Sequence, residues 1–347
     1  MRMFKTILTY LILFFTSLSL YPTNSNALDK LQVGIIAPLT GPAQNMGDSL
    51  SKAIRLNQPM NVELFFQDDQ CQASRALSAY HLLRSKGVSI FYVACSGPVL
   101  ALAPLAKRDG TLILSALAGS EKIRSTGPEV IRFNPDSVSI AENMAVELDK
   151  IGKRFLLVNE EQDYAESLAT ILKSKLGAKI VYHDRYRVAE ASYRSIITKF
   201  RNIESDGLIY IPVSDTSSYL FFKELSELKF PAPIYGDVNV CDQQFKPSDF
   251  GMHGVCWRAY GTSNLFEKFT AEFRAAYDRD PMMQYYDGLS NDIIHILSEY
   301  AAKNAEVSVA GVKAYILGGV VGKLGKYNFT ADGEVINPDE YLSTVRY

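Results

Sequence analysis

Basic side chains are too few in this chain to outnumber the acids: 36 Lys and Arg face 38 Asp and Glu, a formal charge of −2 at pH 7. No surplus remains to neutralise phosphates, which excludes nucleic acid as a partner and makes an acidic membrane surface or polyanion an ill match. Histidine is scarce, and His81, His183, His253 and His295 stand far apart. C-x-x-C spacing is absent as well, so no metal is expected. Neither a G-x-S-x-G elbow nor an H-E-x-x-H pair occurs. No catalytic constellation emerges, and neither an enzyme nor a cofactor is expected. Asp68-Asp69 is the one paired carboxylate motif that invites acid–base chemistry. Nothing nearby would tune the two to different pKa values, and they read as a capped strand end. Asn328-Phe-Thr330 fits a glycosylation sequon but carries no argument.

A long apolar run occurs once, from Ile7 to Tyr21, behind the basic start Met1-Arg-Met-Phe-Lys5. It is short and interrupted by Ser and Thr, and Ser25 and Ala27 are the small residues of a cut after Ala27. These are the parts of a secretory signal peptide over residues 1–27. No later stretch approaches the ~20 apolar residues of a membrane span, and no Cys adjoins the cut to take a lipid. A soluble exported protein is expected, with the formal charge moving to −4 once Arg2 and Lys5 are gone.

Only four cysteines are present, Cys71, Cys95, Cys241 and Cys256, all after the signal. An even number in an exported chain reads as disulfides. Three pairings are open. Cys71 with Cys95 and Cys241 with Cys256 is favoured because each pair closes a short loop inside one expected lobe, worth roughly 3 kcal/mol each by loop entropy. Whether the second pair forms stays open.

The remaining ~320 residues suit two domains. Short β-branched runs alternate with segments of helical period, the pattern of parallel α/β units. Strands are expected at Leu31–Ala37, Val62–Phe66, Ser89–Ala94, Thr111–Ser115 and Val130–Phe133. Helices are expected at Gly47–Asn57, Gln72–Lys86 and Leu100–Arg108. A second series has strands at Phe155–Val158, Lys179–Tyr182, Gly207–Ile211 and Ile234–Tyr235. Its helices run over Ser139–Ile151, Tyr164–Leu176, Tyr193–Ile203 and Ser217–Leu228. Helices Phe266–Tyr277 and Tyr285–Ala302 then break the rhythm. The expected fold is α/β: two doubly wound parallel-sheet lobes joined by a hinge, an N-terminal lobe over 28–135, a C-terminal lobe over 136–261, and a returning segment 262–347 shared between them. No Pro/Gly/Ser-rich linker separates the halves, which points to several short crossings.

In open α/β sheets ligands lie beyond the carboxyl ends of the strands. The loops there are Pro38–Gly41 with Asn45–Asp48, Cys95–Pro98 and Ala116–Glu121. Their small residues and hydroxyls suit an anion at a helix start, and equally suit plain turns and caps.

These segments resemble the type I periplasmic binding proteins of the leucine/isoleucine/valine-binding group. The resemblance rests on Val33-Gly-Ile-Ile-Ala-Pro-Leu-Thr-Gly-Pro42, Asp68-Asp-Gln-Cys71, Cys95-Ser96, Ala116 to Glu121 and Asn159-Glu-Glu-Gln-Asp-Tyr-Ala165. Tyr285-Tyr-Asp-Gly288 and Val321 to Phe329 extend it over nearly the whole mature chain. It implies a Cys71–Cys95 disulfide and a periplasmic substrate-binding protein of an ABC transporter. Its partners would be a small-molecule ligand, an amino acid or related carboxylate, and a membrane permease; a monomer is expected. A ligand carboxylate would meet Ser96 and the backbone of Ala116 and Ala118, Tyr164 would close over it, and Asp237 would receive the ammonium group. Met46 stands where an aromatic residue is usual, Val213-Ser214-Asp215 replaces another, and the Leu56–Asn61 connection is shorter than usual. A more apolar ligand that is not an amino acid is therefore an alternative. A sensor or accessory protein and an exported enzyme on the same fold are the other readings.

Overall fold

Apolar runs buried on both faces become parallel strands, and β1 (Leu31–Ala37) is the first of them, with five of its seven residues consecutively buried at its end. A computed structural model describes residues 30–242, 244–259, 264–304, 306–336 and 342–346. The signal segment 1–27 and Tyr260 lie outside the described residues. The chain continues through α1 (Gln44–Arg55), β2 (Val62–Asp68), α2 (Ala73–Ser85), β3 (Ile90–Val93), α3 (Ser96–Asp109), β4 (Leu112–Ser115) and β5 (Val130–Arg132). The strands form one five-stranded sheet in the order β2-β1-β3-β4-β5, with every pairing parallel.

Next come α4 (Ser137–Ile151), β6 (Phe155–Glu160), α5 (Asp163–Leu176), β7 (Ile180–Tyr186), α6 (Arg194–Phe200), β8 (Gly207–Ile211), α7 (Asp215–Glu227), β9 (Ile234–Gly236), α8 (Val238–Cys241) and β10 (Gly254–Ala259). Finally α9 (Asn264–Tyr277), α10 (Gln284–Lys303), α11 (Val309–Leu317), a small hairpin of β11 (Val320–Val321) and β12 (Lys326–Tyr327), and β13 (Leu342–Arg346) follow. The second sheet runs β13-β10-β9-β8-β6-β7. It is parallel apart from β13, which pairs antiparallel with β10.

Each sheet is covered on both faces. Phe266, Phe269 and Phe273 of α9 and Ile293, Ile294 and Leu297 of α10 share a core with Val33 and Ile35 of β1. The returning helices thus cover the first sheet, and β13 ends on the second. Tyr80, Leu83, Val99 and Leu102 fill the other face of the first sheet. In the second sheet Ile140, Met144, Leu168 and Leu172 pack on one side. Ile197, Phe200, Phe221 and Phe222 pack on the other, where the rings of Tyr210 and Phe221 stack at 4.3 Å.

Two expected boundaries move for physical reasons. Helix α3 begins at Ser96 rather than Leu100, because Pro98 falls in the first turn, where a helix needs no N–H from it. Helix α4 begins at Ser137, capped by the Asp136 carboxylate, which accepts from the N–H groups of Val138 at 3.1 Å and Ser139 at 3.3 Å. Both cysteine pairs are joined, Cys71 to Cys95 and Cys241 to Cys256, with Cα atoms 5.4 and 5.6 Å apart.

Where the chain passes from the first sheet to α4, a fully buried guanidinium organises the crossing. Arg132 donates through Nη1 to the Ser120 carbonyl at 2.9 Å and through Nε to Glu334 at 3.0 Å, with Nη2 also paired to Glu334. Its own N–H donates to the Gly333 carbonyl at 2.8 Å. Gly333 has φ +87°, and a Cβ there would collide with the Val130 carbonyl, so only glycine lets the two segments run side by side. Arg132→Ala strips Glu334 and the Ser120 carbonyl of their side-chain partner, and should cost about 3 to 5 kcal/mol in chemical denaturation. An unchanged unfolding midpoint would contradict this role.

Candidate functional site

The carboxyl ends of both sheets border one cavity, with about 550 Å³ of space between its walls when the open mouth is included. From the first sheet come the Cys71–Cys95 bridge, Ala94, Ser96, Gly97, Leu117 and Gly119, together with Met46 of α1. The second supplies Gln162, Asp163, Tyr164, Val213, Val238 and Asn239. Asn134, Pro135 and Ile140 border it at the crossing, and Met283 and Tyr286 at the start of α10.

Ser96 opens α3, where the first N–H groups have no acceptor within the helix and the dipole favours negative charge. Its Oγ accepts the Ser120 N–H at 3.1 Å, leaving its O–H free to donate. Across the cavity the walls nearly touch. A Cβ on Gly97 would come within 2.8 Å of Asp163 Oδ2, and one on Gly119 within 2.7 Å of the Tyr164 ring. Two glycines therefore permit this approach. Asp163 is also 3.5 Å from Lys122, and the Glu121 N–H donates to Ser167 Oγ at 3.1 Å. At the other side Asn45 Nδ2 donates to Gln244 Oε1 at 2.7 Å.

Among the expected site residues, Met46, Ser96 and Tyr164 line the cavity. Ala116 and Ala118 do not, and this corrects the expectation. Leu117 and Gly119 of the same loop line the cavity instead. The Ala118 N–H donates to Ser115 Oγ at 3.1 Å and is not left for a ligand.

Asp237 is corrected too. It is fully buried and does not reach the cavity wall; its Oδ1 accepts the Asn239 N–H at 3.2 Å as the cap of α8. Its Oδ2 accepts the Tyr164 hydroxyl at 2.7 Å and Asn239 Nδ2 at 3.2 Å. Burial pushes its pKa up to about 7. The carboxylate expected to meet an ammonium group is instead a cap that fixes the Tyr164 ring and Asn239 at the wall.

Val213 owes its place to another buried acid. Glu160, at the end of β6, accepts from the N–H groups of Val213 and Ser214, both at 3.1 Å, and from Ser214 Oγ at 2.8 Å. Burial raises its pKa. Asp68 and Asp69 are structural in the same sense. Asp68 accepts from Leu39 N–H at 2.9 Å and Thr40 N–H at 3.2 Å, fixing the Pro38–Gly41 loop, while Asp69 accepts the Cys71 N–H at 2.9 Å. Among the described residues the one cluster with metal-ligand spacing is Asp69, Cys71 and Cys95, and both its sulfurs are spent in the disulfide.

Asp163, Leu117, Gly119, Asn134 and Tyr286 were not singled out by sequence reasoning. Asp163 and Tyr286 sit inside quoted motifs, next to residues that were; Asn134 had no signal beyond its place in an Asn-Pro-Asp turn.

Three buried acids carry a consequence for stability. Asp69, Asp237 and Asp287 are each pushed up to about 7 by burial, against ~3.9 in an unfolded chain. The folded state therefore holds protons that the unfolded state releases, and this contribution is lost as pH rises from about 4 through 7. Asp237→Asn has no such proton. Its melting temperature should gain on that of the wild type between pH 5 and pH 8, and a difference that stays flat over that range would contradict a buried, proton-retaining Asp237.

Comparison with known proteins fits this geometry. A family model described as periplasmic binding protein matches residues 30–314. A Leu/Ile/Val-binding protein homolog of Brucella melitensis is 21% identical over 238 residues, 64% of this chain and 64% of that relative, just under two thirds of its length. A leucine-binding protein of Thermotoga maritima superimposes with a TM-score of 0.77 at 16% identity, covering 91% of this chain and 94% of the other. An ABC-transporter solute-binding protein of R. palustris, solved with benzoate, gives 0.73 at 15% identity, covering 88% and 91%. With a family match over most of its length, the chain belongs to the periplasmic binding proteins, and its two sheets with the cavity between them have the type I fold.

Proposed function

We propose that this protein is exported to the periplasm and captures a small carboxylate with an apolar body between its two lobes, delivering it to a membrane permease of the ABC type. The named ligands of the similar proteins, branched-chain amino acids on one side and benzoate on the other, share a carboxylate and an apolar body and differ in the ammonium group. The observation that carries the choice is Asp237, whose oxygens are spent on Tyr164 and Asn239 behind the wall.

The carboxylate would lie at the start of α3, receiving the Ser96 hydroxyl and the free N–H groups of the first turn. Met46, Leu117, Ile140, Val213, Val238 and Met283 would hold the apolar body. Asp163 is the remaining acid at the cavity. It stands beside the positive end of α3 and is held by Lys122, a poor place for a ligand cation. Capture needs no chemical step. A ligand that touches both lobes stabilises the closed arrangement by its differential affinity for it.

Calorimetric titration with leucine, 4-methylpentanoate (leucine without its amino group) and benzoate tests this. One of the two acids lacking an ammonium group should bind more tightly than leucine. Ser96→Ala should weaken that binding about tenfold, the loss of a hydrogen bond to a charged group. Asp163→Asn should strengthen it roughly threefold by removing an exposed like charge. Tighter binding of leucine, weakened by Asp163→Asn, would overturn the proposal in favour of an amino acid.

A further inference from the structure

Asn134 stands between β5 and α4, where the chain crosses between the lobes, and is 1% exposed. Its amide nitrogen is spent: Nδ2 donates to the Pro135 carbonyl at 2.8 Å and to the Ala118 carbonyl at 3.4 Å. That fixes which way the amide faces, turning Oδ1 away from those carbonyls. Oδ1 is buried and has no hydrogen-bond partner in the protein. Asn134 lines the cavity on one side and a polar groove on the other. The cation among the groove's lining residues, Arg124, is engaged with Asp136, and Glu334 with Arg132; Asp332 is a further acid there and offers no donor. Buried acceptors are nearly always satisfied, so an orphan in a binding wall calls for a donor.

We propose that Asn134 is a specificity residue whose Oδ1 accepts a hydrogen bond from a hydroxyl on the ligand's apolar body, which makes the ligand a hydroxylated carboxylate. This rests on the carboxylate reading above. The donor is a neutral one because an amide oxygen carries no formal charge, and the neighbouring Leu117, Pro135 and Ile140 would leave an ammonium group without a counter-charge. A wall that offers a buried acceptor also discriminates: an analogue lacking the hydroxyl leaves that acceptor unpaired and is rejected. Ser96 at the carboxylate end and Asn134 along the body would then fix the ligand at two points.

The test compares matched acids on the full mature protein by calorimetry: benzoate against its 2-, 3- and 4-hydroxy isomers, and 4-methylpentanoate against 2-hydroxy-4-methylpentanoate. At least one hydroxylated acid should bind tenfold or more tightly than its parent. Asn134→Leu should abolish that gain, bringing each hydroxylated acid to the affinity of its own parent in the same variant. Equal losses for both members of a pair would overturn the assignment. The wild-type comparison decides by itself if the variant does not fold, since parents that bind with no gain from any hydroxyl overturn the Asn134 role and leave the carboxylate reading standing. Failure of every acid to bind overturns both.

Discussion

A buried Arg132 guanidinium is the constraint on which the rest of this structure depends. It lies where the chain leaves the first sheet, and it ties the loop ending at Ser120 and the crossing at Asp136 to the returning segment at Glu334, 202 residues further along the chain. A guanidinium suits the place because its rigid fork of donors can serve carbonyls and carboxylates at once. Burial makes the arrangement all-or-none, since each partner left alone would be a desolvated polar group. The Leu117–Gly119 wall of the cavity and the start of α4 are therefore positioned by one side chain that touches no ligand.

The cavity inherits its chemistry from how closely the two sheets approach. Gly97 and Gly119 lack the side chains that would hold Asp163 and Tyr164 away. Glu160 and Asp237, both buried at the carboxyl end of the second sheet, use their oxygens to set Val213, Tyr164 and Asn239 in the wall. These two acids are thus turned inward as fixtures, and apart from Asp163, paired with Lys122, the surface left for a ligand is apolar with hydroxyl, amide and helix-start donors. Such a surface suits a single negative charge on an apolar body better than a zwitterion.

Much of the fold is legible in the sequence because its strands are apolar runs buried on both faces, as in Leu31–Ala37 and Gly207–Ile211. The loop after β4 shows where that reading stops. Ala116 and Ala118 were expected at the ligand, yet the cavity meets Leu117 and Gly119, because the loop's course follows from the bonds that Ser115 Oγ accepts from it, which no local pattern displays. Asp237 shows a second limit: its residue type fits an ammonium acceptor, but the same carboxylate also fits a helix cap, and only the position of Tyr164 separates the two. Asn134 had no signal beyond its place in a turn. Its neighbours Phe133 and Pro135 read as a strand end and a turn, and the orphaned acceptor exists only once Ala118 and Pro135 claim the amide nitrogen.

Denaturing the protein purified from its native export route, and identifying the released small molecule by mass spectrometry, tests the central claim most directly. A carboxylic acid without an amino group, bearing a hydroxyl on an apolar body, is the expected find. Release of a branched-chain amino acid would contradict the assignment of Asp237 as a spent cap and return the cavity to a zwitterion.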